Sequence, residues 1–128
     1  MPRRSYAHYC AIARSLDVLG ERWTLLIVRE LMLGPRRYTD LHADLPGIST
    51  DVLAARLKEM ESAGVIERSA LAAGVPVRAY RLTERGLALA PVLRALSDWG
   101  GPLLTGQQPT DALRDHWGTL SAESGQVV

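Results

Sequence analysis

The chain contains 128 residues, of which 47% are apolar and 23% charged, and its formal net charge is +1. This composition supports one modest core, and it offers neither the run of about 18 apolar residues that a membrane span needs nor the apolar stretch of a secretory signal. A single cysteine excludes an internal disulfide framework, so we expect a cytoplasmic protein of one domain without a membrane partner.

Two helices are predicted in succession at the start of the chain. Ile12, Leu16 and Leu19 recur at the spacing of one helix face, and Gly20 marks the end of the first helix. The next segment, ERWTLLIVRELMLGP, is apolar nearly all round, which is typical of a buried helix. Its Gly-Pro pair at 34–35 is a strong terminator.

A short helix and a longer one follow, joined by a tight turn. In RRYTDLHADLPG, Leu41 and Leu45 face inward from a brief helix that the Pro-Gly pair at 46–47 breaks. The longer helix begins after Ser49, its predicted N-cap, and ends before Gly64.

This longer helix has two unlike faces. Leu53, Leu57 and Met60 form the predicted core stripe. The opposite face carries mostly small side chains and few charges. Its residues are Asp51, Ala54, Ala55, Lys58 and Ser62. Because a solvated helix normally carries long charged side chains there, this face predicts a helix that lies close against a partner.

The segment VIERSALAAGVPVRAYRL predicts a β-hairpin. Two short strands flank a loop that bears Gly74 and Pro76, and Tyr80 and Leu82 alternate onto one face of the second strand.

The last long helix is predicted in TERGLALAPVLRALSDWGG. Thr83 is its N-cap, Pro91 bends it, and it ends at Trp99. Residues 101–128 contain Gly, Pro and Gln, with one candidate short helix in DALRDHWG.

This order of elements predicts a mainly α fold with a small β-hairpin wing, the winged helix-turn-helix arrangement. In that geometry the second helix of the turn enters the major groove and its partner crosses the DNA backbone. Ala54 and Ala55 would permit a close approach and contact with thymine methyl groups.

The charge distribution adds to this interpretation. Residues 1–37 hold seven Arg against three acidic residues, residues 38–98 hold seven basic against eight acidic, and residues 99–128 hold one against three. Arg carries a planar fork of donors that suits phosphate, although heavy use of Arg also follows from genomic composition.

Most of the chain carries a family resemblance. The run C-AIARSLDVLGERWTLLIVRELMLGPRRYTDLHADLPGIST-VLAARLKEMESAGVIER, followed by AYRLTERGLALAPVLRALSDWG, resembles the HxlR family of bacterial winged-helix regulators. The distinctive pieces are the Cys-to-LG-RW spacing, L-GPRRYTDL, LPGIS, L--RL-E-E-AG and Y-LTE-G. The resemblance implies a homodimer that binds an inverted-repeat operator and controls transcription, and we expect repression. Residues 1–100 are then the DNA-binding and dimerisation domain, and residues 101–128 are a C-terminal tail.

The predicted DNA contacts follow from this geometry. Arg36 and Arg37, beside the helix that crosses the backbone, and Arg78, close to the wing tip, are predicted phosphate contacts, and Lys58 is a phosphate or base-edge contact. Asp51 lies in the first helical turn, where the helix dipole favours a carboxylate, and accepting from a cytosine amine is the alternative. The predicted set is Arg36, Arg37, Tyr38, Ser49, Thr50, Asp51, Ala54, Ala55, Lys58 and Arg78.

The roles of three other arginines are less sharply defined. Arg56 either faces the DNA or pairs with an acid on a neighbouring helix. Arg68 is expected to balance Glu67, and Arg81 is a weaker candidate for a wing contact.

The resemblance places the dimer interface on the terminal helices of the domain. The predicted interface residues are Ile12, Leu16, Leu89, Val92, Leu93 and Leu96. Cys10, at the start of the first helix, is either a small buried hydrophobe or a thiol sensor. It matches the position at which some family members sense oxidants or electrophiles, and a helix N-terminus favours the thiolate.

The sequence carries no enzyme motif. It has no paired-His metal motif, nucleophile elbow, phosphate-cradling glycine loop or cysteine cluster, and we expect neither a metal nor a cofactor. Three hypotheses remain. The first is a transcriptional regulator that binds double-stranded DNA, and the second is a sensor of an oxidant or small molecule whose output is DNA release. The third is a winged helix retained for protein interaction, which the modest net charge favours.

Overall fold

The computed structural model describes residues 4–71, 73–74 and 77–118. The chain divides into two compact units, residues 1–86 and 87–128. The first unit contains α1 (Ala11–Leu19), α2 (Thr24–Leu31), α3 (Tyr38–Ala43), α4 (Thr50–Ser62), β1 (Ile66–Ala70) and β2 (Arg78–Leu82). Helix α5 (Glu84–Leu87) spans the division, and α6 (Ala90–Gly100) belongs to the second unit. The predicted mainly α fold with a β-hairpin is confirmed.

The core of the first unit is built from residues of α2, α3, α4 and the hairpin. Its fully buried apolar side chains include Ile27, Val28, Leu41, Leu45, Leu53, Leu57, Met60 and Ile66. Helix α2 begins only at Thr24, because Trp23 adopts a left-handed backbone conformation with φ of 80°. Although α2 is apolar nearly all round, Leu26 is exposed, so the helix is buried along one side rather than on every side.

The hairpin is attached to the helices at its base. Strands β1 and β2 pair antiparallel from Ile66 opposite Leu82 to Ala70 opposite Arg78. The backbone of Arg36 forms a bridge to Tyr80, in which the Arg36 N–H donates over 3.0 Å and the Tyr80 N–H donates back over 2.8 Å. This bridge fixes the start of α3 to β2. Pro76 of the predicted loop lies outside the described residues.

The predicted long helix after the hairpin is two helices. Thr83 caps α5 as expected, because its Oγ1 accepts from the Gly86 N–H at 3.1 Å. The helix then stops at Leu87, and Pro91 lies in the first turn of α6 rather than at a bend. A proline lacks the N–H that an interior turn requires, whereas a first turn leaves that N–H without a helical partner in any case.

The second unit continues beyond α6 with two short 3-10 helices, Gly101–Leu103 and Asp115–Trp117. The latter lies within the predicted short helix DALRDHWG, and residues 119–128 of the predicted tail lie outside the described residues. In the part of the chain that the structure describes, no helix combines the length and the apolarity needed to cross a membrane.

Candidate nucleic-acid interface

Helices α3 and α4 are joined by the tight turn that the sequence predicts. Gly47 provides a positive φ of 100°, which a side chain would disfavour. The buried Leu45 and Ile48 hold the turn against the core. Ser49 then caps α4, because its side-chain oxygen accepts from the Val52 N–H at 3.1 Å. The turn and the cap together set the direction in which α4 begins.

The two faces of α4 are arranged as predicted. Leu53, Leu57 and Met60 are buried. The residues that the structure leaves exposed on α4 include Thr50, Asp51, Ala54, Ala55, Lys58 and Ser62. Helix α4 therefore presents a surface of short side chains with one lysine, which allows a partner to approach its backbone closely.

Tyr38 connects the two helices of the turn. It is the first residue of α3, and its hydroxyl donates to the Thr50 carbonyl oxygen at 2.8 Å. Its ring stacks on His42 with the planes 14° apart. Tyr38 thus lies at the edge of the exposed face of α4 and steadies the first turn of that helix.

Arg36 and Arg37 are adjacent in sequence but have different surroundings. The Arg36 guanidinium contacts Asp44 at 2.5 Å and Glu30 at 3.7 Å, and its side chain is only 19% exposed. Glu30 is fully buried. Because Arg36 is held between two carboxylates inside the fold, its geometry is that of a structural residue, contrary to the expectation of a phosphate contact.

Arg37 points outward from the N-terminus of α3. Its guanidinium donates to both carboxylate oxygens of Asp40 at 3.0 Å, and its backbone N–H donates to Asp40 Oδ2 at 3.1 Å. Hydrogen bonding to Arg37 lowers the pKa of the Asp40 carboxyl. The exposed guanidinium is accessible to an anion, but Asp40 competes with that anion.

Arg56 has structural partners. Its guanidinium contacts Glu59 on the same helix at 3.0 Å and Glu21 before α2 at 3.7 Å, and it donates to the Arg22 carbonyl oxygen at 3.0 Å. These contacts join α4 to the turn between α1 and α2. The alternative in which Arg56 pairs with acids of the fold is therefore the one that the structure favours.

The charged residues of the hairpin pair differently from the prediction. Arg68 contacts Glu61 of α4 at 3.4 Å, and Glu67 contacts Arg81 of the opposite strand at 2.6 Å. The expected pairing of Arg68 with Glu67 is wrong, because neighbouring strand residues point to opposite faces. Arg78, in the predicted wing, is exposed.

An open groove of about 590 Å³ runs between α4 and the hairpin. It is lined by Tyr38, Ala54, Lys58, Glu61, Ser62, Arg68 and Tyr80. Three of these residues, Glu61, Arg68 and Tyr80, lie outside the predicted set of DNA contacts. The alternation of side chains along the two strands could have indicated two of them. Arg68 and Tyr80 are cross-strand partners, so their side chains lie on the same face of the hairpin.

Most of the predicted dimer-interface residues are exposed in the single chain. Ile12 and Leu16 of α1 are exposed, as are Val92 and Leu96 of α6, and Leu89 is half-buried. Leu93 differs from the expectation, since it is buried within the single chain and offers little surface to a partner. Cys10 is the N-cap residue of α1, as its predicted position requires, and it is exposed.

The short helix, turn, exposed helix and hairpin define a winged helix-turn-helix protein. A profile of the HxlR-like helix-turn-helix family matches residues 18–108, and the chain belongs to this family. Its relatives are transcriptional regulators rather than enzymes. One of them, the HTH-type regulator YvaP of Bacillus subtilis, is 44% identical over 87 residues, which are 67% of this chain and 80% of YvaP.

Solved structures support the same assignment. The chain is similar to quinone-bound YodB from B. subtilis, with a TM-score of 0.62 and 37% identity over 73% of this chain and 98% of that one. It is also similar to the oxidized form of the redox regulator HypR, with a TM-score of 0.65 and 27% identity over 77% of this chain and 99% of HypR. The chain is therefore a helix-turn-helix transcriptional regulator.

Proposed function

We propose that this regulator binds an inverted-repeat operator as a homodimer, with α4 of each protomer in a major groove, and represses transcription. The observation that carries the proposal is the exposed face of α4, where Ala54 and Ala55 leave the backbone open to close approach beside Lys58. A helix that enters the major groove needs this access to the base edges.

The proposed contacts divide into residues that contact the bases and residues that contact the phosphates. Ala54, Ala55 and Lys58 face the bases, whereas Arg37 and Arg78 contact phosphates. Phosphate contacts fix register without reading sequence, and base contacts specify it. Ser49, Thr50, Asp51 and Tyr38 border this surface, where Ser49 caps α4 and Tyr38 supports its first turn. The carboxylate of Asp51 is favourable at the positive end of the helix dipole and serves there structurally.

A binding experiment separates the two classes. Footprinting on the promoter adjacent to the gene supplies the operator, and affinity is then measured for operator and mixed-sequence duplexes over a range of salt. We expect Arg37→Ala and Arg78→Ala to weaken binding to both duplexes and to reduce the salt slope by about 0.9 per lost contact. Ala55→Gln is expected to change operator preference, since each base pair is worth roughly 1–3 kcal/mol.

Ala88→Gln is the matched control, because this alanine is exposed outside the proposed surface. Equal losses of operator and mixed-sequence binding in Ala55→Gln would contradict the assigned reading face. If the wild-type protein shows no salt-dependent duplex binding, the protein-interaction hypothesis replaces this one.

A second candidate function is oxidant or electrophile sensing through Cys10, and the exposure of its thiol favours it. The thiol is exposed at the N-cap of α1, and the similar proteins include YodB bound to a quinone and HypR in an oxidized form. A quinone would react by addition of the sulfur to a ring carbon, with the thiol proton passing to one carbonyl oxygen. The hydrogen of the attacked carbon would then move to the other oxygen, which gives a hydroquinone thioether. Since Cys10 is the only cysteine, a disulfide would join two subunits or a subunit and a small thiol.

The sensing hypothesis is tested with Cys10→Ser. We expect diamide or a quinone to change operator affinity in the wild type and to leave it unchanged in the variant. Mass spectrometry of the treated protein identifies the adduct. An identical response of both proteins would assign sensing to another part of the protein. The alternative of a small buried hydrophobe is wrong, because the thiol is exposed.

A further inference from the structure

The described residues that line the groove between α4 and the hairpin include an ion pair, Arg68 and Glu61. The Arg68 guanidinium lies 3.4 Å from Glu61 Oε2, and the two side chains are 55% and 37% exposed. The guanidinium also lies 5.7 Å from the centre of the Tyr80 ring. The ring limits the directions that the Arg68 side chain can take, so the guanidinium is held at the groove.

The contact between Arg68 and Glu61 is long for a pair of opposite charges. Strong charge-assisted hydrogen bonds measure about 2.7–2.9 Å between nitrogen and oxygen. The Arg81–Glu67 pair of the same hairpin reaches 2.6 Å at comparable exposures of 53% and 43%. Because its contact is looser, Arg68 can exchange its carboxylate partner at little cost.

The Arg68–Glu61 pair lies beside the proposed DNA-facing surface of α4, because both residues line the groove together with Lys58. Glu61 follows Lys58 by three residues on α4, so the two side chains are neighbours along the helix. Among the described residues that line the groove, the positive charges belong to Lys58 and Arg68, and Glu61 carries the negative charge. An anion entering the groove would meet both cations and would be repelled by the carboxylate.

We propose that Arg68 is a further phosphate contact, which exchanges Glu61 for a DNA phosphate on binding, and that Glu61 limits the affinity for DNA. The proposal rests on the proposed function, since it requires α4 to face the duplex. The carboxylate occupies the place of a phosphate in the free protein and opposes the phosphate in the complex. Because phosphate contacts carry no sequence information, Glu61 lowers affinity for operator and mixed-sequence DNA alike.

The test uses the full chain and fluorescence anisotropy with a short mixed-sequence duplex over a range of salt. Glu61→Gln is expected to tighten binding about two- to fivefold, the scale of one exposed ion pair. Arg68→Ala is expected to weaken binding and to reduce the salt slope by about 0.9, whereas Arg68→Lys keeps the charge and preserves the slope. Thermal unfolding of each variant verifies that it is folded.

The Arg81–Glu67 pair supplies the matched control on the other face of the hairpin. Glu67→Gln is expected to leave both affinity and salt slope as in the wild type. An unchanged slope in Arg68→Ala, or no gain in Glu61→Gln, would overturn the exchange, and the proposed function would survive if Lys58→Ala still weakened operator binding. Absence of salt-dependent duplex binding by the wild type would overturn both proposals.

Discussion

At the scale of single residues, the close surroundings of position 86 explain why glycine occupies the last position of the motif Y-LTE-G. A Cβ atom built there would lie 2.2 Å from the Val65 carbonyl oxygen and 2.9 Å from Leu82 Cδ2. The first neighbour is backbone and cannot turn aside as a flexible side chain would. Thr83 holds this region together, because its hydroxyl also donates to the Gly64 carbonyl oxygen at 2.6 Å. The hairpin and α5 therefore meet too closely for any side chain at position 86.

We predict that Gly86→Ala destabilises the protein by about 1–3 kcal/mol, the usual cost of overpacking a close contact. Gly100→Ala is the matched control, because a Cβ atom there would meet nothing within 4 Å. Since alanine is favoured over glycine in a helix by about 0.5–1 kcal/mol, Gly100→Ala should be neutral or stabilising. Urea denaturation followed by circular dichroism measures both, and equal effects of the two substitutions would contradict the steric explanation.

At the scale of elements, the segment between α2 and α3 joins three parts of the fold. The Arg36 side chain contacts Glu30 of α2 and Asp44 at the end of α3, and its backbone bridges Tyr80 of β2. One residue thus sets the position of the hairpin base against the helix-turn-helix. Arg37, the next residue, contacts only the N-terminal turn of its own helix in the interactions described above. Two adjacent arginines therefore have different roles, because the first stabilises the fold and the second lies on the solvent-facing surface.

This contrast predicts opposite effects of two adjacent substitutions. Arg36→Ala should lower the free energy of unfolding by about 1–3 kcal/mol, because it removes a cation from between a buried and a half-buried carboxylate. Arg37→Ala should leave the free energy of unfolding nearly unchanged, as for other exposed pairs, while it reduces the salt slope of DNA binding. Chemical denaturation and anisotropy on the same two proteins measure these effects. A stable Arg36→Ala protein with a reduced salt slope would return Arg36 to the phosphate contacts.

At the scale of the whole molecule, both terminal helices of the predicted domain carry exposed apolar side chains. On α1 these are Ile12 and Leu16, and on α6 they are Val92 and Leu96. Exposed apolar groups of this kind mark interfaces. A closed two-fold dimer would place its two recognition helices about 34 Å apart, one turn of DNA. Dimerisation and operator binding are then linked through this spacing.

The dimer proposal predicts that Leu96→Glu dissociates the dimer and abolishes operator binding together, since a carboxylate cannot be buried without a partner. Leu33→Glu is the control, because Leu33 lies outside the proposed interface and is exposed to a similar extent, 50% against 47% for Leu96. Light scattering reports the oligomeric state, and anisotropy with the operator reports binding. A monomeric Leu96→Glu protein that binds with wild-type affinity would contradict the proposal. Leu93→Glu is uninformative here, because Leu93 is buried in the single chain.

The sequence alone determined most of the elements and the face of α4 that is exposed, although it joined α5 and α6 into one helix. The Ser49 cap, the stripe that contains Leu53 and Leu57, and the terminating Gly47 all act through neighbours a few residues away. Local steric and hydrogen-bonding preferences of this kind are written into short stretches of chain. The resemblance to the HxlR family added the class of protein, and the family profile that matches residues 18–108 confirms it.

Only the tertiary structure decided which charged side chains are committed to the fold. Arg36 and Arg37 have the same side chain and adjacent positions, yet only Arg36 lies against the buried Glu30. Likewise Arg68 pairs with Glu61 of α4 rather than with Glu67, its neighbour in sequence. Such pairings join residues of different elements, and they depend on strand register and on helix packing. A guanidinium pairs with a carboxylate that the fold places close to it in space, and this distance cannot be inferred from the separation of the two residues along the chain.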